Sequence, residues 1–207
     1  MKVVVKIIFE GLGRFFSFLP LQFPILIRAM RSHFYTGFVR SRFAHFGKDS
    51  VIASPAEMIS GSQCISIGDC AKINKGVILS AWPGRITDAP KLSIGNNCRI
   101  GVNSHLSAAV GITIGDNLLT GPNVLITDNA HGASKREELG IHPSERQLFS
   151  KGTVTIGDNV WIGTNACVMP GVTIGDGAII AANSVVTHDV PAGGVAAGVP
   201  ARIVKVM

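Results

Sequence analysis

The sequence predicts an all-β chain wound from a six-residue unit, preceded by a segment of a different kind. Three observations carry this. From residue 156 the chain divides into sixes: IGDNVW, IGTNAC, VMPGVT, IGDGAI, IAANSV and VTHDVP. Gly is frequent, 24 of 207 residues, at a density that opposes helix. Charge is sparse, 15% of the chain, and segregated: the net +6 belongs to the first 45 residues.

That leading segment, residues 1–45, holds seven cations (Lys2, Lys6, Arg14, Arg28, Arg31, Arg40, Arg42) against one acid, Glu10. It also holds eight of the ten Phe. Residues 46–207 carry twelve cations and twelve acids and are neutral, so no basic face is expected there and nucleic acid is excluded as a partner. The longest uncharged stretch, Phe15 to Ile27, is 13 residues with Pro20 and Pro24 inside it. A spanning helix needs about 20 residues. No small-residue cleavage site follows, so neither a transmembrane helix nor a cleaved signal is expected. Apolar residues mixed with Arg suit a helical segment lying at a membrane interface, cations toward anionic headgroups. They equally suit a cap on the end of the β domain. Four Cys (Cys64, Cys70, Cys98, Cys167) form no CxxC and no zinc-finger spacing, and reduced, buried thiols fit a cytosolic protein.

The β domain is expected over residues 46–203, with 204–207 as a tail. In its clearest part Ile or Val recurs at 156, 162, 168, 174, 180 and 186. Four places after each stand Val160, Ala166, Val172, Ala178, Ser184 and Val190. The same frame runs from 94 (IGNNCR, IGVNSH), from 114 (IGDNLL, TGPNVL, ITDNAH) and from 67 (IGDCAK, INKGVI), and weakly from 46 through Phe46, Ile52 and Met58. A period of six is neither helical nor strand alternation. It fits two short strand residues, an inward aliphatic and a tight corner. Three sixes make an 18-residue triangular coil, stacked on the next at about 4.8 Å, with Gly and Asn supplying the corner angles.

Two interruptions are the candidate functional regions. One is SAWPGRITDAPK, between Leu79 and Ile94. The longer, HGASKREELGIHPSERQLFSKGT, runs from His131 to Thr153 and is an extended arm over 132–152. His131 stands at its mouth. An imidazole titrates near neutrality and can take a proton from a hydroxyl and return it.

The run ITDNAHG, a loop, and then IGDNVWIGTNACVMPGVTIGDGAIIAANSVVTHDVPAGGVAAGVPARIV resembles the hexapeptide-repeat, left-handed parallel β-helix O-acetyltransferases of galactosides, maltose and cell-surface polysaccharides. The resemblance implies an acetyl-CoA-dependent enzyme without a metal, with His131 as catalytic base. It implies that Asn103 orients the acceptor and Trp161 lines the acetyl site. Thr164 would offer a backbone N–H to the thioester oxygen, and Ala182, Thr187 and Arg202 would line the coenzyme A groove. His188 departs from the Lys usual in relatives. Asp128 could orient His131 or serve as a corner residue, and His142 and Glu145 are further acid–base candidates. The implied assembly is a homotrimer with composite sites. The expected location is the cytoplasm, with residues 1–45 offering peripheral attachment to the inner face of the cytoplasmic membrane, where lipid-linked cell-surface glycans are built.

Three rival functions stand beside this one. A carbonic-anhydrase-like zinc site needs three converging His, and the closely spaced His pair of that branch is missing among the six present. A noncatalytic scaffold sits poorly with His131, Trp161 and the arm together. An acetyltransferase for a small alcohol or amine separates weakly from a glycan enzyme by sequence.

Overall fold

The six-residue unit becomes one side of a triangle. The computed structural model describes residues 6, 10–13, 22–87 and 91–207. Three sheets of six, eight and six strands run side by side, and within the coils each strand pairs in parallel with its equivalent one coil away. The first sheet contains His45–Phe46, Ile65–Ile67, Lys91–Ile94, Gly111–Ile114, Val154–Ile156 and Thr173–Ile174. The second contains Val51–Ile52, Lys72–Ile73, Arg99–Ile100, Leu119–Thr120, Trp161–Ile162 and Ile179–Ile180, then Gly194–Gly198 and Ala201–Val206. The third contains Met58–Ser60, Ile78–Ala81, His105–Ala108, Leu125–Thr127, Cys167–Val168 and Val185–Val186. The result is a parallel β-solenoid.

The core is the stack of inward residues. Ile67, Ile73, Leu79, Ile94, Ile100, Leu106, Ile114 and Ile126 are all at most 3% exposed, as are Ile156, Ile162, Val168 and Ile174. Each such burial contributes about 1.5–3 kcal/mol of hydrophobic stabilisation. The small residues four places on (Ala71, Cys98, Ala166, Ala178, Ser184) are equally buried, where a larger side chain would hold the corner open.

The polar letters of the repeat build the corners. At the first corner each Asp or Asn accepts a hydrogen bond from the backbone of the preceding coil. Lys48 N–H donates to Asp69 Oδ1 (2.6 Å), Asp69 N–H to Asn96 (2.8 Å), and Asn96 N–H to Asp116 (2.7 Å). Asp116 N–H then donates to Asp158 (2.7 Å) and Asp158 N–H to Asp176 (2.8 Å). The Asn96 donors hold the Asp116 carboxyl below its ordinary value. At the next corner Asn123, Asn165 and Asn183 pass amide hydrogen bonds along the stack at 3.0 Å. All three have φ near +58°, the left-handed region that Asn tolerates.

The weakest coil departs from the expected frame. Met58 is outward and 37% exposed, and Ile59 takes the inward place beside Leu79. Seven residues separate Ile52 from Ile59, with Pro55 in the turn between, so the six-residue count slips by one. The expected boundary at 203 also falls inside a strand: Ala201–Val206 pairs antiparallel with Gly194–Gly198 and folds over the last coil.

The leading segment contains helix α1 (Gln22–Val39), which closes the other end. Its Ser32, Thr36 and Val39 are buried. Thr36 Oγ1 accepts from Ile52 N–H (2.9 Å) and donates to Ile52 C=O (3.2 Å), while Ser54 N–H donates to Ser32 Oγ (3.2 Å). Side chains of the helix thus satisfy the open strand edge of the first coil. Its opposite side leaves Ile25, Ile27, Met30, Phe34 and Phe38 at 50–80% exposure. No helix among the described residues is long and apolar enough to cross a membrane. The parts of residues 1–21 on which the interfacial expectation also rests lie outside the described residues.

Candidate active site

The winding stops after Leu125–Thr127, and the chain leaves the solenoid. Asp128 marks the exit. It is fully buried and accepts three backbone hydrogen bonds, from Ala109 N–H (2.7 Å), Val110 N–H (2.8 Å) and Gly111 N–H (2.5 Å). Among the described residues its one side-chain partner is Asn129 Nδ2 (3.0 Å). Of the two roles open to Asp128, the structure assigns the corner: the carboxylate replaces strand pairing where the coil is interrupted and makes no hydrogen bond to His131.

Ala130–His131 then pairs antiparallel with Leu148–Phe149, so His131 sits at the base of a hairpin rather than in a loose loop. Gly132 follows at φ +87°, and a Cβ there would meet Glu138 Oε2 at 2.8 Å and Arg146 Cδ at 2.9 Å. Only Gly lets the arm fold back this tightly. The arm satisfies itself: Glu138 accepts from Ala133 and Lys135 N–H (3.0 and 3.1 Å), which holds its carboxyl below the ordinary value. Arg146 Nε donates to Ile141 C=O (3.0 Å).

A cavity of about 420 Å³ opens between this hairpin and the third sheet. His131 lines it, with Trp82 and Arg85 from the shorter interruption and Ser144 and Arg146 from the arm. Its floor is a polar network. Trp82 Nε1 donates to Ser107 Oγ (3.0 Å), and Asn129 Nδ2 donates to Ser107 C=O (3.0 Å). The two interruptions, far apart in sequence, meet over one strand group.

The same cavity holds a residue that the sequence reading did not single out. His105 lies on the outer face of the third sheet, between Ile78 and Leu125. Its Nε2 is buried without a hydrogen-bond partner, and burial holds the imidazole below its ordinary value. Strand alternation could have found it, since its neighbour Leu106 points inward and so His105 must point out. Asn103, the residue expected to orient an acceptor, is instead an exposed corner residue at φ +57°, like its equivalents Asn123, Asn165 and Asn183. It does not line the cavity.

The remaining expected residues fall in other places. Trp161 is 52% exposed on the outer face of the second sheet and is not brought to His131 within one chain. Thr164 and Ala182 stand one above the other at the corner between second and third sheets, in close contact with Gly121 and Gly163 respectively. Thr187 lines a second cavity, of about 320 Å³, on the far side of the hairpin with Lys151, Phe149 and Met169. Arg202 lines a third cavity near the last coil with His188, which contacts Thr187 Oγ1 at 2.9 Å. His142 and Glu145 are exposed in the arm, and His142 Nδ1 is 2.8 Å from Ser144 Oγ. Among the described residues, no three His, Cys, Asp or Glu side chains gather as a metal would require.

The model for bacterial transferase hexapeptides (six repeats) matches residues 153–188, and the model for the hexapeptide repeat of succinyl-transferase matches residues 91–128. The chain is 40% identical over 134 residues to a galactoside O-acetyltransferase of Escherichia coli (strain K12), covering 61% of each chain. It is 40% identical over 114 residues to a putative lipopolysaccharide biosynthesis O-acetyl transferase of the same organism, covering 53% of this chain and 58% of that one. The match thus spans about three fifths of these curated relatives' length. Among solved structures, a hexapeptide-repeat acetyltransferase of Vibrio cholerae O1 biovar eltor, complexed with acetyl coenzyme A, superposes at TM-score 0.56 with 29% identity. That superposition covers 82% of this chain and 74% of the other. An N-acyltransferase mutant from Bacillus cereus, in complex with dTDP and coenzyme A, gives 0.70 at 25% identity, over 82% of this chain and 87% of that one. Repeat, architecture and relatives agree: the chain carries bacterial-transferase hexapeptide repeats and is similar to hexapeptide-repeat acetyltransferases.

Proposed function

We propose that the protein is an acetyl-CoA-dependent O-acetyltransferase acting on a sugar hydroxyl, in the synthesis of a cell-surface polysaccharide or lipid-linked glycan. The observation that carries this is the hairpin bearing His131, with a cavity on each side and Ala130 lining both. One cavity suits the acceptor. The other, with Thr187, suits the acyl end of the donor, which would run toward Arg202. His131 takes the proton from the acceptor hydroxyl as its oxygen attacks the thioester carbonyl. The carbon–sulfur bond then breaks and the imidazolium protonates the departing thiolate, so no external proton donor is needed. The left-handed winding that the resemblance implies belongs to this reading and fits the parallel sheets.

A homotrimer is part of the proposal. The outer face of the first sheet is polar, a ladder of Ser66, Ser93, Thr113, Thr155 and Thr173. Beyond Lys72 and Arg99 the second sheet turns out Leu119, Trp161, Ile179 and Val195, and the third turns out Ile78, His105, Leu125, Cys167 and Val185. Two different faces with apolar stretches on a triangular prism favour a head-to-tail contact that closes after three copies. Trp161 of one copy would then face the His131 cavity of the next.

Peripheral membrane contact is likewise proposed, supported by the exposed Ile27, Met30, Phe34 and Phe38 on α1. Flotation of the full chain with anionic vesicles tests it, and a protein that stays behind at low salt rules it out. The central experiment is coenzyme A release from acetyl-CoA with a panel of sugars and lipid-linked glycans, wild type beside His131→Ala. Undiminished transfer by a folded His131→Ala protein would remove the mechanism.

A further inference from the structure

The walls of the His131 cavity carry a charge pattern that general base chemistry does not need. Arg85 reaches it from the shorter interruption and Arg146 from the arm. No Asp or Glu is among the described lining residues. The Arg85 side chain has neither a hydrogen bond nor an ion pair among the described residues; its backbone N–H donates to Trp82 C=O (3.3 Å). Arg146 uses Nε on Ile141 C=O and keeps both terminal nitrogens. Glu138 lies close enough to interact with it electrostatically but forms no ion pair with it, its oxygens accepting instead from the Ala133 and Lys135 N–H groups. Between the two guanidinium-bearing segments, the third sheet contributes His105, whose buried Nε2 has no partner.

Two guanidiniums in one cavity repel each other, and neither forms part of the solenoid core. A neutral sugar would leave that repulsion in place. An oxyanion would relieve it, because guanidinium presents forked donors that match a carboxylate or phosphate.

We infer that the acceptor carries an anionic group beside its reacting hydroxyl, a sugar carboxylate or sugar phosphate, held by Arg85 and Arg146 while the hydroxyl faces His131. The unpartnered His105 Nε2 would meet a polar group of the same sugar. This rests on the transferase reading and narrows its acceptor to an acidic class. Coenzyme A phosphates are the competing anions. They are assigned elsewhere because Thr187 and Arg202 line the cavities beyond the hairpin.

The test uses the full chain and matched probes: methyl glucoside and methyl galactoside, the corresponding methyl uronides, and the two hexose 6-phosphates. Binding is followed by titration calorimetry, and transfer by coenzyme A release. The expected result is that uronides or phosphates bind about tenfold to a hundredfold more tightly than their neutral partners, the range a charge-assisted pair supplies. Comparing uronide with phosphate identifies the anion. Arg85→Gln and Arg146→Gln should each reduce that preference while leaving the KM for acetyl-CoA unchanged. Arg85→Gln removes no hydrogen bond of the fold, so it keeps the test valid if Arg146→Gln disturbs the arm. Equal binding of neutral and anionic probes overturns the inference, as does a preference that survives Arg85→Gln, or a loss confined to acetyl-CoA. Transfer to neutral sugars alone would overturn it and leave the transferase reading standing. Tight, Arg-dependent binding of anionic sugars with no acetyl transfer would do the reverse.

Discussion

Along the coils the corner Asp and Asn side chains answer the backbone of the neighbouring coil, whereas the two interruptions carry side chains that the fold does not use. Asp128 and His131 stand three residues apart across that boundary. Asp128 is fully buried and accepts from three consecutive N–H groups, acting as a substitute strand edge. His131 is exposed on a two-residue strand and faces a cavity. The difference teaches that a solenoid separates stability from chemistry. The winding supplies the free energy, and the breaks can be spent on groups that stabilise nothing.

His131→Ala should break the comparison most visibly. Coenzyme A release should fall by about 10²–10⁴, the usual contribution of a positioned base. The melting temperature should stay within a degree or so of wild type, because the imidazole makes no hydrogen bond among the described residues. A matching loss of stability would mean that the arm is structural after all.

Asp128→Ala should act the other way. Three N–H groups at a buried corner lose their acceptor, at a cost of at least about 3 kcal/mol. Urea unfolding should show the midpoint shifted to lower denaturant. If unfolding is unchanged and only transfer suffers, Asp128 works through His131 and the corner role assigned here is wrong.

The smallest expected effect concerns His105, which belongs to the winding by position and to the cavity by chemistry. Its folded imidazole titrates below the ordinary value of 6.5 because of burial. The unfolded chain therefore binds a proton at a higher pH than the folded one. Stability should fall as pH drops below about 6.5 and level off below the folded value. Melting curves between about pH 5 and 7.5 should show this slope in wild type and a flatter one in His105→Asn. Identical slopes would place the acid sensitivity elsewhere.

Much of the winding was legible in the residues alone. The aliphatic at every sixth place and the small residue four places on are read directly, because a coil closes only when both point inward. The frame failed at Met58, where Pro55 lengthens a turn by one residue and the register moves with it. The candidate site was half legible. His131 announced itself by its place at the mouth of the arm. His105 stayed hidden because alternation says only that it points outward, not that it lines a cavity, and Asn103 occupies a corner where Asn recurs for backbone reasons.

By itself the sequence determined the period, the inward stack, the corner chemistry and the segregation of charge into the first 45 residues, since each depends on contacts between nearby or regularly spaced positions. Only the tertiary structure decided that Trp82, Arg85, His105, His131 and Arg146 share one cavity. Two interruptions more than forty residues apart lie side by side because each coil advances only one strand spacing. It also decided that α1 seals the first coil through Ser32 and Thr36, a match between side-chain hydroxyls and a strand edge that no linear pattern encodes.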